Sequence, residues 1–364
     1  MIDTREFFNG RYTGIGRVLK GLIDALTNSS VVDEIVLLES QSKTVSLALK
    51  KHHKIRIQKI PPSFIESEKA LSGFTKNGLG LFISPYPKLP LFGVYCPAIH
   101  IVHDVLDLTH PAYRRRFKTH FDKFRLRAAL KKADSTWYMS HWSKQETLKL
   151  VGFAGNNPHV RYSGIPEGFT KKSENDENEI IEKYGIQPGS VLIIGNGKPH
   201  KNLGVVLNIA NHLPRPLVFI GVPENRQRFW KSKYPKSNSM WIDFVKDEDL
   251  PAILRNSFCL AQPSTAEGYG LPPLEAMACG VPAVVSDIPV LVETTGHNTL
   301  TANPERPEEW EKAFRSLENR EIHQNLVKNG LAWVKPLRGK KGWKKHISDI
   351  GYLINREREF QRKI

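Results

Sequence analysis

The chain has 364 residues, more than one ordinary core holds and enough for two domains. Its 40% hydrophobic and 25% charged residues describe a globular protein and exclude a disordered one. With 53 basic against 37 acidic residues the net charge is +16 and the pI near 9.6, which favours polyanionic partners: nucleic acid, an anionic bilayer or phosphorylated small molecules.

The opening MIDTREFFNGRY carries charge at once and has no apolar core, so no secretory leader is expected. No apolar run approaches the ~18–20 residues that cross a bilayer. Cys96, Cys259 and Cys279 are an odd set without disulfide or metal spacing, which suits a reducing cytoplasm. Only Met1 to Thr4 precede the first glycine-rich region, so the first strand is a stub or the native start lies upstream. GIGRVLKGLIDAL (14–26) then sets Ile15, Val18, Leu19, Leu22, Ile23 and Leu26 on one stripe and predicts an amphipathic helix. EIVLLE (34–39), LGLFIS (79–84) and AIHIVHDV (98–105) read as buried strands. From Tyr113 to Lys132 the spacing predicts a long basic helix with Phe117, Phe121, Phe124 and Ala128 on its inner face. Its cations, Arg114, Arg115, Arg116 and Lys118 among them, are either an ordinary solvated face or a surface for anionic lipid.

The polar, acidic stretch KKSENDENEIIEKYG (171–185) marks a domain junction, giving a first domain of 1–168 and a second of 169–342. The second alternates strictly. VLIIG (191–195), LVFIG (217–221), WIDFV (241–245), FCLAQP (258–263) and PAVVS (282–286) read as strands. NLGVVLNIANHL (202–213), DLPAILRN (249–256) and 273–279 read as helices. Such alternation means βαβ units and a parallel sheet, whose ligands sit beyond the carboxyl ends of its strands.

The chemistry concentrates in PSTAEGYGLPPLEAMACGVPAVVSD (263–287). Glu267 follows a strand, Gly268 and Gly270 let backbone approach a ligand, and Pro272 and Pro273 open a helix whose free N–H groups suit an anion. Glu275 lies eight residues after Glu267, on the first turns of that helix. Two carboxylates beside an anion site suit sugar and ribose hydroxyls; a capped helix with two solvated glutamates stays equally open on spacing alone. In GNGKPHKN (195–202) Lys201 follows a strand-end glycine turn, which suits a phosphate, though a capping turn with solvated lysines is the plainer alternative. TGIGR (13–17) is a phosphate loop or a tight turn, and His103 a catalytic or a structural histidine. The triplet Asp247-Glu248-Asp249 resembles a metal-holding DxD but reads better as acids opening the next helix, so no metal is expected.

From Glu267 through Glu275 to Ala278, Gly280 and Pro282, the run resembles the signature of the retaining GT-B glycosyltransferases of family 4, in which E-x7-E precedes A-x-G-x-P. GNGKPHKN is similar to the same family's G-x-L-x-P-R-K-N turn, although Asn196 stands where some members carry arginine. The resemblance implies an α/β protein of two facing Rossmann-like domains with a cleft between them, the helix 343–364 packing back on the first. It implies Glu267 and His103 at the transferred sugar, Glu275 on the ribose, and Lys201 on the diphosphate with Lys198 beside it. Gly14 and Gly16 would lie under the phosphates, and the backbone of Gly268, Tyr269, Gly270 and Leu271 would face the donor. Likeness to surface-polysaccharide mannosyltransferases implies metal-independent, cofactor-free hexosyl transfer from GDP-mannose, with UDP- or dTDP-sugars as alternative donors. The acceptor would be a lipid-linked or membrane-bound glycan, and the enzyme peripheral on the cytoplasmic face of an anionic membrane. The rival class is a basic nucleic-acid-binding protein, against which no RNP-like motif, zinc finger or helix-turn-helix is present.

Overall fold

A computed structural model describes residues 1–8, 11–40, 44–76, 78–85, 88–114, 116–172 and 177–362. The chain divides into two compact units, Met1–Gly164 with Gly339–Ile364, and Ile165–Arg338.

In the first unit, strands Phe82–Ser84, Ala98–Val102, Ser135–Tyr138 and Pro158–Val160 pair in parallel in that order, and Ile35–Glu39 pairs in parallel with Ile55–Lys59. The start of the chain joins the two sets. Ile2 bridges both Leu37 and Ile83, with Ile2 N–H donating to Val36 O at 2.9 Å and Asp3 N–H to Ile83 O at 3.0 Å. The stub strand is therefore central rather than peripheral.

The helix Gly14–Thr27 buries Val18, Leu19, Leu22, Ile23 and Leu26, as its periodicity predicts, and Thr13 caps it by accepting from Gly16 N–H at 3.1 Å. Each fully buried leucine or isoleucine contributes roughly 1.5–3 kcal/mol. The final helix, Gly339–Gln361, belongs to this unit. Arg161 holds its Asp349 through two N–H···O contacts of 2.7 and 3.0 Å, a bidentate pair.

The basic helix departs from expectation. It begins at Arg116 and turns Arg125, Leu126, Ala129 and Leu130 inward, while Phe121 and Phe124 are 51% and 69% exposed and Ala128 is also exposed. The side chain of Phe117 lies outside the described residues. The rotation is held by Arg125, which donates to Glu68 Oε2 at 3.3 Å and to Leu89 O at 3.1 Å. The buried carboxylate of Glu68 is held by both Arg5 and Arg125, each at 3.3 Å, and bringing Arg125 inward to it puts the aromatic stripe outside.

The second unit is one parallel sheet with strands in the order Ser239–Ile242, Leu217–Ile220, Val191–Ile194, Cys259–Gln262, Ala283–Ser286, Leu300–Ala302. Chain order runs outward to one side from Val191–Ile194 and then to the other side from Cys259–Gln262. The order reverses between these two neighbours, which is where open α/β sheets bind ligands. The helix expected over 202–213 is shorter, Leu203–Leu207, followed by a 3-10 turn Ala210–His212. Val205 and Val206, both β-branched, leave little propensity to continue it. Leu203, Val206, Phe219, Trp310 and Phe314 pack together in the core. Among the described residues no helix is long and apolar enough to cross a membrane.

Trp343 of the final helix wedges between two glycines of its unit. A Cβ on Gly21 would lie 2.6 Å from the indole and one on Gly164 only 2.3 Å. Gly21→Ala should therefore lower stability by about 1–3 kcal/mol, because overpacking against a ring enclosed on both sides outweighs alanine's better helix propensity. Thermal unfolding checks this; a variant as stable as the parent would mean that Trp343 moves freely.

Candidate active site

The site is built where the strand order reverses. Val191–Ile194 ends in a turn at Gly195, and Gly197 there takes φ +63°, a conformation that favours glycine. The short 3-10 segment Pro199–Lys201 then carries Lys201 forward. From the neighbouring strand Cys259–Gln262 the loop 263–270 supplies Glu267. Thr265 N–H donates to His200 O at 2.8 Å, tying the two loops together.

Lys201 Nζ meets Glu267 Oε1 at 2.6 Å, with their side chains 17% and 10% exposed. The same Oε1 also accepts from Gln262 Nε2 at 2.5 Å and Ser264 Oγ at 2.6 Å. Among the described residues every hydrogen bond to this carboxylate falls on Oε1, which leaves Oε2 without a donor. Lys201 likewise makes a single side-chain hydrogen bond and keeps two N–H donors unused. The pair thus presents an acceptor and two donors side by side. Burial opposes the charge of Glu267, but Lys201, the Ser264 hydroxyl and His200 outweigh it and hold the carboxyl below the usual carboxylate range.

Glu275 lies on the helix Leu271–Ala278 and is fully buried. Two solvated glutamates around a capped helix are therefore not what the chain forms. Gly270 opens that helix at φ +86°, and a Cβ there would sit 2.5 Å from Leu291 Cδ2, so both backbone and space require glycine. Gly268 is buried beside it, and the buried side chains of Tyr269 and Leu271 leave backbone as what this turn offers a ligand. Lys198 is exposed on the Gly195 turn.

The other expected residues lie in the first unit. A Cβ on Gly14 would meet nothing within 4 Å, whereas one on Gly16 would come 3.3 Å from Glu6 O. His103 follows the strand Ala98–Val102; its Nε2 has no partner among the described residues, and burial lowers its pKa to about 4, so the imidazole is neutral at physiological pH. Arg114 and Lys118 are exposed, the latter 3.7 Å from Asp122. Arg115 falls outside the described residues, as does the side chain of Arg116. Asp249 stands where expected, at the N-cap of the next helix, Leu250–Arg255, though its side chain makes no capping hydrogen bond. Its carboxylate accepts instead from Lys183 Nζ and Tyr184 OH, each at 2.7 Å.

Sequence reasoning missed Gln262 and Ser264. Each is a polar residue at or just past the carboxyl end of a strand bordering the reversal point, a signal that marks a ligand position in a parallel sheet.

Residues 176–333 match the model of glycosyl transferases group 1. This stretch is a group 1 glycosyltransferase domain. The glycosyltransferase is 26% identical over 317 residues to O-antigen chain mannosyltransferase B of Escherichia coli, covering 80% of this chain and 83% of that one. To the O-antigen chain mannosyltransferase RfbU of Salmonella typhimurium it is 25% identical over 223 residues, 60% of each chain. The crystal structure of Anabaena Alr3699/HepE in complex with UDP and glucose superposes with a TM-score of 0.73 at 17% identity, covering 96% of this chain and 97% of that one. That likeness shows the fold, which is the GT-B glycosyltransferase fold.

Lys201→Met removes the cation and leaves the burial, so the carboxyl pKa of Glu267 should rise. Carboxyl-resolved NMR titration of the transferase reads this directly; an unchanged Glu267 pKa would contradict the pairing.

Proposed function

We propose that this glycosyltransferase is a retaining, metal-independent mannosyltransferase that uses GDP-mannose and extends a lipid-linked glycan at an anionic membrane surface. The observation that carries the reading is the Lys201–Glu267 pair at the strand-order reversal, with Oε2 and two ammonium N–H groups left for a ligand. A sugar diphosphate is complementary to it: a sugar hydroxyl donates to the carboxylate, and phosphate oxygens accept from the lysine.

As the sugar leaves, charge accumulates on the nucleoside diphosphate. In this reading Lys201 stabilises it without a metal, together with the N–H groups of Gly270 and Leu271, the ones that Pro272 and Pro273 leave at the start of Leu271–Ala278. Glu275 takes the ribose hydroxyls, and Gly14 and Gly16 the phosphates. His103, at the transferred sugar in this reading, acts there as a neutral imidazole, since burial lowers its pKa to about 4. The mannosyl donor is favoured by the O-antigen mannosyltransferases to which the chain is similar; UDP- and dTDP-sugars are the alternatives.

For the membrane, the support is the outward face of Arg116–Lys132. Exposed Phe121 and Phe124 lie on the same helix as exposed Lys118, with Arg114 just before it. Aromatic side chains beside cations suit the headgroup region, where each basic residue near the surface adds about 1 kcal/mol.

Turnover of GDP-, UDP- and dTDP-sugars tests the donor. Glu267→Gln should depress kcat on the order of 10²-fold, because the contacts it loses orient the reacting carbon. Glu275→Gln should chiefly raise donor KM, by roughly 1.5–3 kcal/mol. Folded variants with parental kinetics would contradict both roles. Activity should survive EDTA; collapse in chelator with rescue by Mn²⁺ would overturn the metal-free account. Phe121→Ser with Phe124→Ser should reduce sedimentation with anionic vesicles while leaving hydrolysis of soluble donor intact, and unchanged sedimentation would remove the membrane role.

A further inference from the structure

A nucleoside diphosphate leaves with more than one negative charge, and the lysine placed to receive it is already engaged. Lys201 lies 2.6 Å from Glu267, so the pair brings almost no net charge to the site. A multiply charged leaving group taken out of water needs further compensation. The residue directly after Gly195 is Asn196, which supplies none.

We propose that Arg226 is a second cation of the donor site and binds the nucleoside diphosphate together with Lys201. The inference rests on the donor reading above. Arg226 lies on the helix Glu224–Lys233, which follows Leu217–Ile220, the strand beside Val191–Ile194. Its Nη1 donates to Gly197 O at 3.3 Å, within the turn that leads to Lys201. The turn rests on its stem: a Cβ on Gly197 would come 3.5 Å from Arg226 Cδ.

Arg215, Arg255, Arg306 and Arg315 of the second unit each pair with a glutamate. Of the arginines of this unit that form no ion pair among the described residues, Arg226, Arg228, Arg320 and Arg338, Arg226 is the one bonded to the turn that carries Lys201. One of its five N–H donors is spent on a carbonyl that fixes the guanidinium against the turn, and the rest are left over. A planar guanidinium held in this way matches phosphate oxygens in pairs. Lys198 is the competing cation on the same turn, but it is exposed and its charge is screened by solvent.

Calorimetry with the full chain tests this, using GDP and guanosine, with UDP and uridine in parallel. Arg226→Gln removes the charge but ends short of the Nη1 that reaches Gly197 O, so Arg226→Lys, which keeps the charge, separates loss of charge from loss of that bond. Arg226→Gln should weaken diphosphate binding about tenfold or more, leave nucleoside binding unchanged and flatten the salt dependence, while Arg226→Lys should recover part of the loss. Equal losses for diphosphate and nucleoside, or a loss found in Lys198→Gln instead, would overturn the inference. So would an Arg226→Gln variant that binds the diphosphate like the parent, with the donor reading left standing. Parent protein that binds neither diphosphate would overturn the donor reading, and this inference with it.

Discussion

A carboxylate held nearly out of water keeps its charge only if something nearby repays the lost hydration, and Glu267 obtains this from Lys201. The second unit meets that requirement through the order of its strands. The two residues are 66 apart in sequence and meet only because Val191–Ile194 and Cys259–Gln262 are neighbours whose succeeding loops rise from the same edge of the sheet. The turn at Gly197 and the bond from Thr265 to His200 hold the loops in register. Concentrating three donors on Oε1 also restrains the carboxylate, and so the direction in which Oε2 points. A donor bound here as proposed would meet a carboxylate already oriented, with no reorganisation left for the reaction.

Much of this was legible in the residues. Strand–helix alternation after residue 190 implies a parallel sheet, and the Glu267–Glu275 spacing with its glycines and prolines implies a loop and helix start at a strand end. What stayed hidden has physical causes. Periodicity says which residues share a helix face but not which face turns inward. On Arg116–Lys132 that choice fell to Glu68, which comes from a distant helix and pairs with Arg125. Gln262, Ser264 and Arg226 belong to no periodic pattern; each matters through one contact made across the fold. Asp249 reads locally as a helix-opening acid because sequence shows the helix after it and not the Lys183 and Tyr184 that reach back to it.

The first unit shows the same division. Its amphipathic helix is plain in the sequence, while the central place of Ile2 depends on two strands that arrive much later in the chain. The final helix is fastened by Trp343 against Gly21 and Gly164 and by Arg161 against Asp349, contacts between residues far apart in sequence. Composition there indicates a basic helix and nothing of its destination.

The most direct test of the account is a crystal structure of the protein with GDP-mannose bound. The account predicts phosphate oxygens within hydrogen-bond distance of Lys201 Nζ and a mannose hydroxyl donating to Glu267 Oε2. The Gln262 and Ser264 contacts to Oε1 should be intact. A donor whose diphosphate lies away from Lys201, or whose sugar makes no contact with Glu267, would contradict it.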